Sequence, residues 1–572
     1  MIELDLRYKR LNTIFSQLFN EIAMKLRGQF TRFVDDMSKE YFDNLDWWVE
    51  GPASRNNLVS PLFYRFCCIH LVKELIESGS KLERIVCDSA ELNRILQALK
   101  VNKGARFEVE GPEGELPKFH HYLLKSAKSV LRVWKRLNSQ FRAARRTKYL
   151  SPVQHKKDLI LIDVFVFPGF VTKDRYYNGL WETLNSEQKK RTFFVPTLVM
   201  MKEDQFEAAY KELRTADRNF LIKEDYLRFS DLLFSLFHLI RVWFIRPSPQ
   251  EVMGVDLSPL VREEILSGRG FDSALAGLLN YRFAKRLKEK SFELSLVIDW
   301  FENQVSDKGW NAGFNKFYPD VISKGYRGSV PPLLYICSSS PSEVELRSGV
   351  LPLIISVIGD GYLDSTKELA SSLMVEKAPA FRFKHLWDNG ERVSDKSKCT
   401  ILIALSIFID ESVYILKLVS MILESIDLEE YRFHVSPHPT MSSETLRRKF
   451  GDDWPQSFNI VKGVNELLAT SDILISGGLS SICLESVAQG IPVIVVENPF
   501  GFSCNSIPVN IGEHLWQSCR TYEDISNCIM RFKNMDAEQI VINKRLSERI
   551  RTDYFEPVTK EGVQRFLELE LN

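Results

Sequence analysis

The sequence lacks the features that mark several large classes of protein. Nine cysteines occur among 572 residues, but they form no CxxC pair and no Cys/His spacing, so we expect neither a disulfide framework nor a zinc site. No stretch of 18 residues is apolar and uncharged, and the first 15 residues carry no signal-peptide pattern. The 75 Lys and Arg residues balance 75 Asp and Glu residues, which argues against a protein whose whole surface binds nucleic acid. We therefore expect a cytoplasmic protein.

Short runs rich in Val, Ile and Leu alternate with helical patterns along most of the chain. Examples are 158–167, 191–200 and 294–300 in the first half, and 399–406 and 472–478 in the second. Such runs are typical of parallel strands that are buried on both faces of a sheet. The sequence therefore predicts an α/β fold with two Rossmann-like, doubly wound domains that face each other across a cleft.

The boundary between the two domains is predicted in the stretch 338–352, where Ser, Pro and charged residues replace the periodic pattern. This gives an N-terminal domain of residues 1–345 and a C-terminal domain of residues 346–572. The last segment, 553–572, has the pattern of a terminal helix. In a two-domain fold such a helix can cross back and brace the first domain.

Residues 116–157 are the one strong charge anomaly. They contain twelve Lys and Arg residues and no Asp or Glu, and their apolar residues recur every three or four positions, as on one face of a helix. We predict a basic helical insertion in the N-terminal domain. Three interpretations are open: a core-facing helix with a solvated basic side, a helix docked on an anionic membrane, or a nucleic-acid-binding helix. We expect no nucleic-acid partner, because no recognised module accompanies the segment. Membrane docking would place the protein at the inner face of the cytoplasmic membrane.

Two motifs in the second half follow predicted strands: an HP dipeptide ends the run 431–439, and SGGLSS occupies 476–481. Ligands of parallel α/β sheets bind beyond the carboxyl ends of the strands, so both motifs would line one crevice. The glycines would let a ligand approach the backbone, and the serines and the following helix would face a phosphate. Packing alone would explain either motif by itself, but the pair favours a nucleotide site. The candidate residues are His438, Pro439, Gly477, Gly478, Ser480, Ser481 and Glu485.

The run SGGLSSICLESVAQGIPVI resembles the C-terminal domain of GT-B glycosyltransferases, with its strand, glycines, helix, glutamate and Gly-x-Pro turn. The similarity covers roughly residues 350–572. Within that group, an HP motif followed by a Ser-Ser motif is similar to sialyl-, polysialyl- and Kdo transferases, which use CMP-activated ulosonic acids. The resemblance implies that His438, Ser480 and Ser481 contact the phosphate and that Glu485 binds the ribose. Glycerophosphotransferases of teichoic acid synthesis also carry this pair of motifs.

The first half is similar to another group over two short stretches. Residues 297–328 and 46–63 resemble segments of bacterial surface-carbohydrate biosynthesis transferases. Sugar transfer needs a carboxylate, either as a base or as a nucleophile. The candidates, in order of preference, are Glu302, then Asp299, then Glu224 and Asp225. A role as helix cap or salt-bridge partner would explain each of them equally well.

The loop after the run 158–167 carries basic and aromatic side chains that suit an acidic glycan. The candidate acceptor-binding residues are Lys173, Arg175, Tyr177 and, further upstream, Arg55. A packed, partly solvated loop would account for the same residues. We expect no metal and no cofactor, because no DxD motif follows a strand and GT-B transferases generally need no divalent metal for catalysis.

The sequence and its resemblances predict a glycosyltransferase of bacterial surface polysaccharide, of the O-antigen or capsule type. It would transfer an ulosonic acid from a CMP-activated donor, bound by the C-terminal domain, to a lipid-linked or oligosaccharide acceptor bound by the N-terminal domain. A UDP-sugar transferase and a CDP-polyol phosphotransferase are the enzyme alternatives. The alternative of another class is a catalytically silent GT-B-like scaffold of an envelope-biosynthesis complex.

Overall fold

The computed structural model describes residues 2–114, 116–150, 156–388 and 398–569. Within these ranges the strands form three parallel sheets and one short antiparallel hairpin, Glu251–Val252 with Val255–Asp256. The first sheet is small and has the order β1-β2-β3, with β1 at Ile2–Asp5, β2 at Leu82–Val86 and β3 at Glu108–Glu110. Its helices are Ser16–Ser38, Leu45–Trp48, Gly51–Ser54, Leu62–Glu77 and Ala90–Asn102.

The second sheet has six parallel strands in the order β9-β8-β7-β6-β4-β5. The strands are β4 Leu159–Val166, β5 Thr192–Leu198, β6 Leu294–Trp300, β7 Ile322–Arg327, β8 Ile354–Val357 and β9 Met374–Lys377. Seven of the eight residues of β4 are buried, as expected for a Val/Ile/Leu-rich strand covered on both faces. The helices of this part are Phe119–Thr147, Leu180–Thr183, Ser186–Arg191, Phe206–Arg214, Phe229–Leu236, His238–Val242, Ser258–Leu266, Phe271–Glu289, Val305–Phe317, Ile336–Ser339, Glu343–Arg347, Leu363–Thr366 and His385–Asp388.

The third sheet also has six parallel strands, in the order β12-β11-β10-β13-β14-β15. The strands are β10 Cys399–Ala404, β11 Tyr431–Ser436, β12 Phe458–Ile460, β13 Ile473–Gly477, β14 Val493–Val496 and β15 Trp516–Cys519. The helices are Ile409–Ile422, Ser443–Phe450, Val464–Leu468, Ile482–Ala488, Tyr522–Lys533, Ala537–Tyr554 and Lys560–Phe566. Both large sheets reverse their direction of growth once, so each is doubly wound, and the predicted fold class is confirmed.

The boundary predicted between residues 345 and 346 falls inside the second sheet. Strand β8 follows residue 346 in the chain, yet it pairs with β7, and β9 pairs with β8. Strands of the third sheet begin only at Cys399. The Ser- and Pro-rich stretch 338–352 is instead a connection within the second sheet, with two short helices and many buried serines. Loss of periodicity marks a loop there, not the end of a domain.

The C-terminal segment crosses back to the second sheet, as predicted. The Glu556 N–H donates to the Ile358 carbonyl at 2.6 Å, and the Ala380 N–H donates to the Glu556 carbonyl at 2.8 Å. Phe566 then packs its ring against Tyr326 at 5.2 Å and Phe381 at 5.4 Å. These contacts tie the two large sheets into one hydrophobic core.

The helices of the first, small sheet also contact the third sheet, through the loop that follows β14. Phe502 stacks on Phe63 with ring centroids 4.9 Å apart, and it contacts Phe19 at 5.3 Å. The side chain of Asn20 accepts a hydrogen bond from the Ser503 N–H at 2.7 Å. Aromatic pairs of this kind contribute about 0.5–1.5 kcal/mol each beyond the area they bury.

The predicted basic insertion is a helix, Phe119–Thr147, which we call the basic helix. It connects the small sheet to the second sheet, and residues 151–155 of the basic segment lie outside the described residues. Over the ranges described, no helix is both long enough and apolar enough to cross a membrane.

Candidate active site in the cleft between two sheets

Loops at the carboxyl edges of the two doubly wound sheets come close to each other. In the second sheet the strand order reverses between β4 and β6, and in the third sheet it reverses between β10 and β13. These reversal points are where doubly wound sheets bind ligands, because the loops on either side diverge and leave a crevice. The loop after β4 carries Arg175, and the loop after β11 carries His438. The two come close enough for the charge of Arg175 to lower the pKa of His438.

Three basic side chains from separate segments meet in this cleft: Arg175, Arg382 and His438, which we call the cation cluster. Burial lowers the pKa of Arg175, and the charge of Arg382 lowers it further. Burial also lowers the pKa of His438, with Arg175 and Arg382 adding to the effect. In the part of the chain that the structure describes, neither arginine has a carboxylate partner. Neighbouring cations without a counter-ion are unfavourable, so this cluster suits a bound anion.

Each member of the cation cluster is held by local contacts. The Arg175 guanidinium lies over the rings of Phe167 and Phe170, at 5.6 and 5.7 Å from their centroids. The Nδ1 atom of His438 lies 2.7 Å from the Thr440 hydroxyl, which leaves Nε2 as the atom that can face a ligand. Arg382 sits in the 3₁₀ turn Phe381–Phe383, between two fully buried phenylalanines.

The turn after β13 is built largely by packing within the protein. A Cβ atom on Gly477 would lie 2.8 Å from a carboxylate oxygen of Glu411, and one on Gly478 would lie 1.9 Å from the Cys504 carbonyl oxygen. The close approach that the glycines permit is therefore made by Glu411 and Cys504. Ser506 completes the contact, because its N–H donates to the Gly478 carbonyl at 2.7 Å.

Glu485 and the serines lie at the start of the helix Ile482–Ala488. The Ser481 hydroxyl donates to one Glu485 carboxylate oxygen at 2.9 Å, and His385 Nε2 lies 3.3 Å from the other. The Glu485 side chain is nearly buried, whereas Ser480 and Ser481 are half-exposed. Of the predicted nucleotide residues, His438, Pro439 and the two serines thus have accessible surface, and Glu485 is reached only past His385 and Ser481.

A cavity of about 550 Å³ opens at the reversal point of the second sheet. Glu302, directly after β6, is on its wall together with Tyr176, Lys223, Glu224 and Gln304. The indole N–H of Trp300 donates to Glu302 Oε1 at 3.2 Å, and the Gln304 amide donates to Oε2. The carboxylate is thereby oriented and remains partly accessible. Its place at a strand end beside the cleft agrees with its position as the first catalytic candidate.

The other predicted carboxylates differ in their access to this cavity. Asp299 is 1% exposed, accepts a hydrogen bond from the Asn311 amide at 2.8 Å and does not line the cavity. Burial raises its pKa well above the usual value, and the nearby Asp307 and Asp163 raise it further. Asp225 forms a bidentate pair with Arg214 at 2.8 and 2.9 Å. The structure therefore gives Asp299 and Asp225 structural contacts and leaves them outside the cavity.

Glu224, a third-ranked carboxylate candidate, also reaches the cavity. The Gln140 amide donates to its Oε1 at 2.6 Å, whereas its Oε2 is buried and has no hydrogen-bond partner within the described chain. Burial raises the pKa of Glu224, although the neighbouring Lys223 opposes that shift. Lys223 itself bonds to the Thr197 hydroxyl at 2.6 Å and to the Asn280 side chain at 2.9 Å.

Two of the four predicted acceptor-binding residues are in the protein interior. Arg55 is 2% exposed and pairs with Glu345, and Tyr177 is fully buried, with its hydroxyl donating to the Asp163 carbonyl at 3.2 Å. Both predictions are wrong in this respect, because these side chains have no surface to offer a glycan. Lys173 is exposed beside the ring of Phe170, and Arg175 belongs to the cation cluster.

Sequence reasoning missed Arg382 and His385. They belong to the run APAFRFKHLW at 378–387, where isolated basic residues interrupt apolar ones. Such a pattern could have indicated basic side chains that lie at the edge of the hydrophobic core. Among the described residues, no group of three or more His, Cys, Asp or Glu side chains is arranged to hold a metal ion.

Comparison with known proteins gives distant structural neighbours only. No family model matches the chain, and no curated protein matches it. Three solved structures that resemble it over 72% of its length are MnaA from S. aureus with UDP (10% identity, TM-score 0.42, 95% of that chain), the glycosyltransferase SnogD from Streptomyces nogalater (12%, 0.40, 99%) and a UDP-forming α,α-trehalose-phosphate synthase from Burkholderia xenovorans with glucose-6-phosphate (10%, 0.42, 100%). The fold class rests on the strand orders of the two large sheets.

Proposed function

We propose that the protein is a glycosyltransferase that takes a sugar from a nucleotide-activated donor and transfers it to an acceptor in the cavity of the second sheet. The observation that carries this proposal is the position of the cation cluster. Arg175, Arg382 and His438 follow strands of the two large sheets and lie close enough for their charges to affect one another, and Glu302 is on the wall of the cavity. A leaving phosphate needs fixed cations, and the acceptor hydroxyl needs a carboxylate; the cleft offers both.

The donor that we propose is a CMP-linked ulosonic acid. Such a donor carries a phosphate and a carboxylate on the same anomeric carbon, which suits two neighbouring arginines that have no carboxylate partner in the described chain. A UDP-sugar, with its diphosphate, is the alternative that the same cluster would accept. We propose that the partly exposed Ser480 and Ser481 contact the nucleotide through their hydroxyl groups.

Glu302 is the carboxylate that we assign to the reaction. In an inverting reaction it accepts the proton of the acceptor hydroxyl while that oxygen bonds to the anomeric carbon and the phosphate leaves with the bonding electron pair. In a retaining reaction Glu302 attacks the anomeric carbon first, and the phosphate leaves with the bonding electron pair. The acceptor oxygen then displaces the Glu302 carboxylate, and the proton of the acceptor hydroxyl passes to the released phosphate. The hydrogen bonds from Trp300 and Gln304 orient the carboxylate for either course.

The biological role that we propose is the synthesis of a bacterial surface polysaccharide in the cytoplasm, on a lipid-linked or oligosaccharide acceptor. The resemblance of 297–328 and 46–63 to surface-carbohydrate transferases supports this role. The 550 Å³ cavity is of a size to hold one or two sugar units rather than a polymer.

Nucleotide binding tests the proposal directly. We would measure the affinity of the wild-type protein for CMP, CDP and UDP by calorimetry, and compare Arg382→Met with Arg549→Met, a control whose side chain is 80% exposed on the helix Ala537–Tyr554. Hydrogen bonds to a charged group contribute about 1.5–3 kcal/mol, so Arg382→Met should weaken binding about 10- to 150-fold and Arg549→Met should not. Binding of UDP alone would contradict the CMP donor. Failure of all three nucleotides to bind at millimolar concentration would contradict the transferase.

A further inference from the structure

The basic helix does not present its apolar face to solvent, as a membrane-docking helix on its own would. Val133 and Phe141 are buried, and Trp134 and Leu137 pack against the core of the second sheet. Its opposite side, however, exposes Leu124 by 70% and Leu131 by 67%. Nine basic residues on this helix or next to its ends are exposed: Lys118, Lys125, Lys128, Arg132, Lys135, Arg142, Arg145, Arg146 and Lys148.

Most of these basic residues have no counter-ion. Arg146 pairs with Glu207 at 3.0 Å, and Arg132 lies 4.0 Å from Asp272. Within the described ranges the other seven have no carboxylate within ion-pair distance. A row of unpaired cations on one helix creates a positive surface potential that attracts anionic partners.

A second pair of helices supplies an apolar stripe. The helices Phe229–Leu236 and His238–Val242 follow one another, and their outward residues recur every three or four positions. These exposed residues are Phe229 (56%), Leu233 (38%), Phe237 (53%), Ile240 (37%) and Phe244 (70%). Large exposed side chains in such a row are uncommon on a soluble surface and mark a contact site.

The stripe helices are firmly held, so the exposure of these residues is not the result of loose packing. Asp231 is fully buried and pairs with Arg282 at 2.6 Å and Arg286 at 2.7 Å. Arg241 pairs with Asp46 at 2.7 Å. The apolar residues therefore point outward on a fixed frame.

The stripe and the basic helix lie side by side and run in opposite directions. Trp134 contacts Phe229 with ring centroids 5.8 Å apart, and near the other end Phe119 and Tyr122 contact Trp243 at 5.0 and 5.4 Å. The two helical segments thus form one face, with phenylalanine, leucine and isoleucine beside lysine and arginine.

We propose that this face docks on an anionic phospholipid bilayer. The apolar side chains would enter the boundary between headgroups and acyl chains, and the lysines and arginines would contact the phosphates. Nucleic acid would use the basic residues but not the apolar stripe. A second copy of the chain would bring the same unpaired cations against one another, which disfavours it.

The basic helix lies between the docking face and the cavity of the second sheet, because Val133, Leu137, Gln140 and Phe141 on its inward side line that cavity. If the proposed glycosyl transfer is correct, an acceptor carried on a membrane lipid would reach Glu302 from this side. That consequence rests on the proposed function, but the docking itself does not.

Vesicle binding tests the docking without any turnover. We would measure co-sedimentation of the wild-type protein with vesicles of phosphatidylcholine alone and of phosphatidylcholine with 30% phosphatidylglycerol. Only the anionic vesicles should bind it, and Lys125→Gln with Lys128→Gln should lower the partition coefficient about 30-fold, at roughly fivefold for each lysine. Phe237→Ser with Phe244→Ser should lower it at least tenfold, roughly the effect of withdrawing two aromatic side chains from the interface.

Matched controls separate docking from general surface effects. Arg448→Gln with Lys449→Gln removes the same charge elsewhere, and Ile540→Ser with Val541→Ser removes two exposed apolar residues from another helix. Both should bind vesicles as the wild type does. Absence of vesicle binding by folded wild-type protein, or an equal loss in the controls, would overturn the proposal. The proposal would also be overturned if the wild type does not bind vesicles but is a dimer in light scattering, and the double variant Phe237→Ser with Phe244→Ser is a monomer. Loss of nucleotide binding with vesicle binding intact would count against the transferase only.

Discussion

Replacing Arg55 by methionine should destabilise the protein and leave the proposed nucleotide site intact. The guanidinium is completely buried; it pairs with Glu345 and donates to the Ser340 carbonyl at 3.0 Å and to the Thr31 hydroxyl at 3.2 Å. Glu345 also pairs with Lys308, which is buried as well. Burial alone would raise the pKa of Glu345, but the charges of Arg55 and Lys308 outweigh it and lower the pKa to about 2.

The size of the effect follows from this network. Removing one partner of a buried ion pair costs about 3–5 kcal/mol, because the remaining charge has lost its compensation. With an unfolding entropy of about 2.1 cal/mol/K per residue, the 572-residue chain would lose about 2–4 °C in Tm if it unfolds in one step. The wild-type network should also weaken in acid. A carboxyl whose pKa is lowered from 4.5 to about 2 contributes stability that is complete above pH 4.5 and is lost as the pH falls toward 2, about 3 kcal/mol in all.

Calorimetry of Arg55→Met beside Arg382→Met is the assay, because the two changes are chemically identical and differ only in place. We expect Arg55→Met to lower the Tm and to keep nucleotide affinity. We expect Arg382→Met to weaken nucleotide binding and to keep the Tm. An Arg55→Met protein with wild-type Tm and acid stability, but with weakened acceptor binding, would refute the interior role and restore the sequence-based prediction.

Two further substitutions test the cavity and a buried histidine. Glu302→Gln should lower kcat by about 10²- to 10⁴-fold with unchanged Tm and nucleotide affinity, measured against the exposed control Glu293→Gln; full activity would move the assignment to another carboxylate. His238 is buried between Asp46 at 2.6 Å and Glu50 at 2.7 Å, and although burial opposes it, these bonds raise its pKa to about 9. The stability gained is complete below pH 6.5 and is lost as the pH rises through 9. The free energy of unfolding of the wild type, measured with urea, should therefore fall by about 3 kcal/mol over this range, and that of His238→Gln should not. The same pH dependence in both proteins would contradict a charged imidazolium at His238.

The sequence predicted the central strands well, and it predicted some edge strands, such as β5, but missed others. Runs such as those of β4 and β13 are buried on both faces and are therefore continuously apolar. In the parallel sheets, the strands that escaped prediction are Ile2–Asp5, Met374–Lys377 and Trp516–Cys519, each four residues long and each at the edge of its sheet. These three strands have one neighbour each and are partly exposed, so their sequences mix polar and apolar residues and carry no distinct pattern.

Side-chain direction was the main limit for the site. Glu302 follows a strand end, and its place in the cavity could be inferred from topology alone. Arg55 and Tyr177 looked equally suitable as polar or aromatic residues in loops, but each has a buried partner elsewhere in the chain: Glu345 lies 290 positions from Arg55, and the Asp163 carbonyl accepts from Tyr177. No local pattern reports such distant partners.

The same limit explains why Arg382 was missed, and it shows how the cleft works as a unit. Arg175 and Arg382 repel each other, so an aromatic frame has to hold them in place. Tyr176, next to Arg175, packs edge-on against Trp300 at 4.3 Å, and the Trp300 indole N–H in turn donates to Glu302. These contacts connect Arg175, which we propose binds the leaving phosphate, to Glu302, which we propose acts on the acceptor hydroxyl. A bound anion would replace repulsion by attraction within that frame, so binding of the donor should itself tighten the cleft around Glu302.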